Sequence, residues 1–531
     1  MNRKLCRIAA LVAAMGVVTW AMGVVTWAPG FEARAASRVY GKDDIIGVAR
    51  GIVAWKKADC GAEGGLLAGL RERAGTSAGD WYAIGVARLS FDEENAEYLS
   101  ALKATAPALW QNGKTGAARV TDLCRAALAM LALSGDPANV SAGGATYDLI
   151  GPFTCGLDTA ALKKQGVGGL LWALITLDGA RYPVPAGSLS TKDDIITEIL
   201  KEQRVDGGFA LAGAVSDPDM TAMALQALAP YRNAETVYSY TRAADGKKLS
   251  KTVRQVTDEA VARLSSLQRD TGDYASFGTR CAETTAQVIV ALCSMGLDPQ
   301  ADSRFIKNGI TLVDALMLYR TGSGGFSHTL PAKSPDSIAS EQALCAMAAL
   351  WRQASGMRAL YDMRPEQSAG VRDAISELVE AIGKITAKTQ KSELRSLKQR
   401  YDSIPQDERI YVHNYALLAD ALSAAGGNSS SQAAGSQPAA SSAHPPGKSS
   451  IAGSLPHEQS AGTQSDRQVH GGASSQSGGS AGGARGGHGL RLWYAALALV
   501  AAAGICTAAI AALGKRRGGT AGSRGREEDG P

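Results

Sequence analysis

Few side chains in this 531-residue chain are equipped for acid–base, nucleophilic or metal chemistry. Of its histidines, His444, His457, His470 and His488 are scattered through a Ser/Gly-rich tract, which leaves His328 and His413 for the part able to fold. A serine or cysteine nucleophile would have to use one of these two as its base, and a lone histidine in a loop or helix is more often structural. His328 follows Gly325-Phe326-Ser327, where bonding the loop backbone is the expected role. No His-Glu-x-x-His helix and no full Gly-x-x-x-x-Gly-Lys-Ser phosphate loop occurs; Gly75-Thr76-Ser77-Ala78-Gly79 has the Gly-x-Ser-x-Gly spacing but no predicted strand before it to make a nucleophile elbow. With Cys6 and Cys506 in apolar end segments, Cys60, Cys124, Cys155, Cys281, Cys293 and Cys345 remain. Six cysteines in a large domain are not the dense framework of a small secreted module, and buried free thiols are the alternative to disulfides. Cys281 and Cys293 fall on one predicted helix, about 18 Å apart at helical rise, and cannot pair with each other. Asp217, directly before Pro218, reads as a helix N-cap with proline in the first turn.

The elements that must position these residues form an internal repeat. Its unit is an amphipathic helix, a Gly-containing turn with an aromatic, and a more apolar helix rich in Ala and Leu. Three copies are clear: 202–209 leading to 219–228, 267–274 leading to 283–292, and 319–326 leading to 340–347. Fainter copies have second helices at 80–87, 122–128 and 169–175. The first helices are expected near 43–57, 95–109, 155–164, 191–203, 253–268 and 303–319, making six helical hairpins with a period near fifty. A helix with one apolar stripe can face water, whereas a helix apolar nearly all round must be buried on most of its surface. A ring of hairpins with the apolar helices inside satisfies both.

At these residues the chain resembles the α/α-toroid superfamily of terpene cyclases, prenyltransferase subunits and cobalamin carriers. More narrowly, it is similar to bacterial surface proteins carrying prenyltransferase and squalene-oxidase repeats. The resemblance covers roughly 41–353 and implies an all-α fold, an α6/α6 toroid of six hairpins. It also implies a site in the cavity bounded by the starts of the inner helices. Helix N-termini carry unpaired N–H groups and partial positive charge, so they hold polar ligands without a charged side chain. The candidate ligand-binding residues are therefore Asp80, Trp81, Tyr82, Asp217, Asp219, Thr221, Glu283, Thr284, Gln287 and Glu341. For each, a cap or an inter-helix hydrogen bond is the bland alternative.

The same resemblance frames the enzymatic readings. Class II terpene cyclases protonate an alkene with an Asp-x-Asp-Asp run; Asp217-Pro218-Asp219-Met220 looks like it but lacks the last acid. Asp219 with Asp217 would be the catalytic acids of a degenerate cyclase. Cyclase cavities stabilise carbocations on aromatic faces, and only 6% of this chain is aromatic. Protein prenyltransferases hold zinc with an Asp-x-Cys pair and a later His; here Thr279-Arg280-Cys281 with His328 lacks the Asp, so no metal is expected. Cobalamin carriers pair the toroid with a second, β-rich domain that this sequence lacks, so no cofactor is expected; a corrinoid is the ligand the resemblance allows. The expected function is noncatalytic ligand binding or surface interaction, with a degenerate cyclase and an adhesion scaffold as alternatives. Ligand binding at the helix starts predicts polar, solvent-reachable side chains there, and a scaffold predicts a plugged core.

The flanking segments point to the cell surface. Arg3, Lys4 and Arg7, an apolar run from Ile8 to Trp27 and small residues to Ala35 read as a signal peptide over 1–35, with an uncleaved anchor as the alternative. The repeat domain is placed at 39–357. A helical module at 371–424 resembles small spacers of bacterial surface proteins in Tyr401-Asp402-Ser403-Ile404 and Val412-His413-Asn414-Tyr415, and spacing is the role expected of it. A disordered stalk at 426–489 follows, too poor in large apolar residues to offset ordering entropy. Residues 492–513 carry no charge and are long enough to span a bilayer. Lys515, Arg516 and Arg517 open a basic tail, 514–531, that the positive-inside rule puts in the cytoplasm. The expectation is a single-pass type I plasma-membrane protein with an extracellular ectodomain. A net charge of +5, partly in the tails, leaves no footprint for nucleic acid.

Overall fold

The computed structural model describes residues 38–427. The predicted signal peptide, membrane helix and basic tail, and the stalk beyond Gly427, lie outside the described residues. Among the described residues no helix is long and apolar enough to cross a membrane.

The described chain is mostly helical. Its first long helix, α1 (Lys42–Cys60), carries Asp43 and Asp44 in the first turn and ends where Gly61 takes the left-handed conformation, φ 66°. It buries one stripe, including Ile45, Val48, Ile52 and Val53. The apolar second helices are α2 (Ser77–Arg88), α5 (Val120–Ala132), α6 (Val167–Gly179), α8 (Pro218–Leu228), α10 (Ala282–Ser294) and α12 (Ser337–Ala354). All of α6 and all of α8 are buried, as helices apolar on every side must be. Each of these six helices packs against the next in chain order, and α12 packs against α2, so their contacts close on themselves. Small residues permit the approach: a Cβ on Gly85 of α2 would stand 2.8 Å from the Leu344 side chain of α12.

The first helices of the hairpins are less regular than the sequence suggests. Helices α7 (Lys192–Lys201) and α9 (Val253–Leu267) match, each opened by a threonine capping box. The helix expected over 95–109 divides into α3 (Asn95–Ala104) and α4 (Ala106–Thr115), because Pro107 starts a new helix rather than continuing the old one. The helix expected over 155–164 shrinks to a single turn at Thr159–Leu162. That expected over 303–319 becomes α11 (Leu312–Met317), preceded by an isolated bridge, Lys307 to Ile310, around Asn308-Gly309, both at positive φ. The all-α expectation is also qualified by three small antiparallel hairpins: β1–β2 (Val140–Ala142, Ala145–Tyr147), β3–β4 (Val237–Thr241, Lys248–Thr252) and β5–β6 (Ala275–Ser276, Thr279–Arg280).

One hydrogen-bond device fixes the three clear turns. The aromatic residue's N–H donates to a hydroxyl of the following inner helix: Phe209 to Thr221 Oγ1 at 3.0 Å, Tyr274 to Thr285 Oγ1 at 3.2 Å, and Phe326 to Ser340 Oγ at 2.9 Å. All three rings are fully buried, each contributing about 1.5–3 kcal/mol of apolar burial.

The C-terminal module comprises α13 (Ala369–Gly383), α14 (Lys391–Ser403) and α15 (Tyr415–Gly427). Its own core includes Ile375, Leu378, Leu397 and Leu418, with Tyr401 stacked on Tyr415 at 3.8 Å between ring centroids.

Candidate functional site

At the N-terminal ends of the inner helices, most of the predicted residues serve the fold. Asp80 is fully buried and accepts from Gly75 N at 2.9 Å, Tyr98 Oη at 3.0 Å and Arg125 Nε at 3.1 Å. Arg125 also meets Asp122 at 2.7 Å, and burial pushes the Asp80 carboxyl up against the opposing pull of Arg125. Tyr82 Oη donates to the Ser337 carbonyl at 2.8 Å, and Trp81 lies 5.4 Å from Trp172 between ring centroids. Asp217 caps α8 as predicted, accepting from Met220 N at 2.7 Å and from Leu211 N at 2.8 Å. Burial and the neighbouring Asp219 push its carboxyl up to about 7. Thr221 is the hydroxyl of the turn device, and Thr284 bonds the Cys281 thiol at 3.0 Å.

Three carboxyl groups are held differently. Asp219 is buried; its Oδ2 accepts from Ser276 Oγ at 2.6 Å, while Oδ1 makes no hydrogen bond. Burial raises its pKa, opposed by Ser276 and Thr284. Glu283 accepts from His328 Nδ1 at 2.8 Å, so His328 bonds a carboxylate rather than only loop backbone. Burial pushes Glu283 up, and the bond from Glu283 pushes His328 up. Glu341 is 1% exposed, and burial puts it well above the ordinary carboxylate range despite Arg125 and Lys56. Gln287 sits in the middle of a buried row in which Gln226 Nε2 donates to Gln287 at 3.0 Å and Gln287 Nε2 donates to Gln342 at 2.9 Å.

The residues present do not suit the zinc site of the prenyltransferase resemblance. Burial pushes the Cys281 thiol up to about 12, which opposes the thiolate that zinc requires. Among the described residues no group of three potential ligands is gathered. The six cysteines are free thiols.

The cavity lies at the opposite ends of the same helices. It measures about 290 Å³ and is lined on one side by the C-terminal ends of α6, α8, α10 and α12, for instance Ile175, Ala227, Ser294 and Gln353. The module supplies the other side through residues such as Ile375, Tyr411 and His413. None of the ten predicted residues lines it; the nearest link is Gln226, a lining residue at the end of the glutamine row.

The cavity exists because the module is docked rather than tethered. The connecting segment, 355–368, is fixed to the inner helices by Arg88 Nη2, which donates to the carbonyls of Ala359 at 2.9 Å and Asp362 at 2.8 Å, and by Met363 N to Gly179 O at 2.7 Å. Arg352, buried beside Arg88, pairs with Glu366. Burial and Arg352 together bring Arg88 down to about 10. Arg358 holds Glu408 through both Nη atoms at 2.8 Å, and Gln367 Nε2 donates to the same carboxylate at 2.6 Å. Tyr411 Oη donates to Asp362 at 2.8 Å, and Arg232 donates to the His413 carbonyl at 2.7 Å. Gly296, at φ 69°, lets His413 approach: a Cβ there would stand 2.4 Å from it. Burial and Arg232 lower the His413 pKa, so its imidazole is neutral at physiological pH.

Comparison with family models, with curated proteins and with solved structures gives no match.

Proposed function

We propose that this chain is a noncatalytic small-ligand-binding protein of the cell surface, built on an α/α toroid and anchored by its C-terminal apolar segment. The carrying observation is the cavity of about 290 Å³ between the inner-helix C-termini and the docked module. Pockets for drug-sized ligands run roughly 300–1,000 Å³, so this one suits a small ligand and is cramped for a corrinoid. The closed sequence of contacts among the inner helices supports the toroid reading. The buried, internally bonded helix starts fit a plugged end, so binding is assigned to the opposite end.

A degenerate cyclase is the second reading, favoured by the buried Asp219 with its raised pKa and its Oδ1 without a hydrogen bond. Asp219 does not line the cavity, however, and the acids that do are paired with cations: Asp178 with Arg181 and Lys192, and Asp362 with Arg364, which together with Tyr411 holds it below the ordinary carboxylate range despite its burial.

The test is native mass spectrometry of the full chain, purified from its expression host and denatured afterwards to release what co-purified. A small molecule retained by the native chain and lost from Ser294→Phe, which fills the cavity, supports the reading. Equal retention by both chains contradicts it, and recovery of a cyclised terpene from an added polyprenoid extract would sink the noncatalytic assignment.

A further inference from the structure

Resting on the cavity reading above, we infer that the ligand is a small amphipathic carboxylate whose anionic head sits on Arg372 and whose apolar body lies between the ring and the module. Arg372 projects from the first turn of α13 and lines the cavity. Among the described residues its side chain makes no ion pair or hydrogen bond. That sets it apart from the other charged lining residues. Asp178 is met by Arg181 at 3.3 Å and Lys192 at 2.9 Å. Asp362 is met by Arg364 at 2.7 Å, by Arg358 at 3.4 Å and by the Tyr411 hydroxyl. Each lining acid is thus already paired, Asp362 through two arginines it shares with Glu408, and Arg372 is left as the unpaired cation at the wall among the described residues.

The remaining lining limits the rest of the ligand. Ile175, Ala227, Ala349, Met357, Ile375 and Val379 are apolar, and a chain or ring placed on them gains about 25 cal/mol per Å² removed from water. Ser376 lies one helical turn beyond Arg372 and also lines the cavity, so a hydroxyl and a guanidinium share one edge of α13. A guanidinium binds a carboxylate through paired N–H donors, whereas the matching amide offers it no charge. Because ring and module each supply part of the wall, such a ligand would bridge them and hold the module down.

The measurement is isothermal titration calorimetry of the full chain with hexanoate and with its uncharged isostere hexanamide, repeated on Arg372→Gln and Arg372→Lys. Losing one charged hydrogen-bonding pair corresponds to about a tenfold to hundredfold loss of affinity. Hexanoate is expected to bind at least about tenfold more tightly than hexanamide, a preference lost in Arg372→Gln and partly kept in Arg372→Lys. Because Arg372 has no partner to lose among the described residues, both variants should melt with the parent chain. Equal binding of acid and amide would overturn the carboxylate inference while leaving the cavity reading intact. Binding of neither, with the parent chain folded, would overturn both.

Discussion

Glu408→Ala offers the sharpest perturbation of the ring–module contact. Glu408 is 9% exposed and accepts from both Nη atoms of Arg358, itself 5% exposed, and from Gln367 Nε2. Arg364 adds a contact at 3.3 Å. Removing the carboxylate takes the shared acceptor from a buried guanidinium and a buried amide, and because Arg358 keeps the Pro365 carbonyl and Asp362, the cost of about 3–5 kcal/mol typical of a broken buried pair is the upper bound. The cost cannot exceed the docking free energy, because an undocked module returns Arg358 to water. The expected result is therefore release of the module rather than collapse of the ring, whose core is a separate cluster. Hydrogen exchange should show it as lost protection across 407–415 with protection retained in α8 and α10. Urea unfolding should gain an early transition. Unchanged protection at 407–415, with a destabilisation under about 1 kcal/mol, would show that Glu408 does not hold the module down.

Acid should act at the same contact. The Glu408 pKa is lowered: burial pushes it up, but the Arg358 and Gln367 bonds outweigh it. Asp362 is lowered too, Arg364 outweighing its burial. Acids with depressed folded pKa values contribute stability that is present above the unfolded value, about 4, and lost as pH falls through the folded one. Module protection should therefore fall below about pH 4 in the parent chain, with Glu408→Ala missing part of that dependence in hydrogen exchange. Asp217 runs the other way: its folded pKa is raised, so its contribution is full below about pH 4 and fades as pH climbs toward 7. Asp217→Asn keeps an N-cap acceptor, and melting at pH 8 should show it more stable than the parent, with the gap closing in acid. Phe326→Ala should lower urea stability by about 3–5 kcal/mol, and a loss below about 1 kcal/mol would show that the buried turn ring is dispensable.

The hairpins were legible where local chemistry repeats. Gly207-Gly208-Phe209, Gly272-Asp273-Tyr274 and Gly324-Gly325-Phe326 mark turns because the aromatic must enter the core while its N–H reaches a helix hydroxyl. The first helices are less legible, even beside such a turn: Pro107 splits one, and Asn308-Gly309 turns the start of the one leading to Phe326 into a bridge. The hairpin β3–β4 did have a signal, the alternation Val237-Tyr238-Ser239-Tyr240-Thr241 ahead of Asp245-Gly246.

The site was harder to read, because what closes it is long-range. Arg358 and Glu408 lie fifty residues apart and look like ordinary surface charges until the module folds back. His413, assigned to a spacer, comes to face Gly296 and the cavity. The ten candidates follow helix starts, whose N–H groups attract polar partners; the chain supplies that partner itself at Asp217, while Asp80 accepts from Arg125 and the Thr221 hydroxyl donates to the Asp217 carbonyl.

The most direct test of the central claim is hydrogen exchange across the full chain with and without saturating hexanoate. Added protection is expected at 293–296, 353–357 and 371–379, on both walls of the cavity. Protection appearing instead at 217–221 and 280–285, the starts of α8 and α10, would place the ligand at the other end of the ring and contradict that claim.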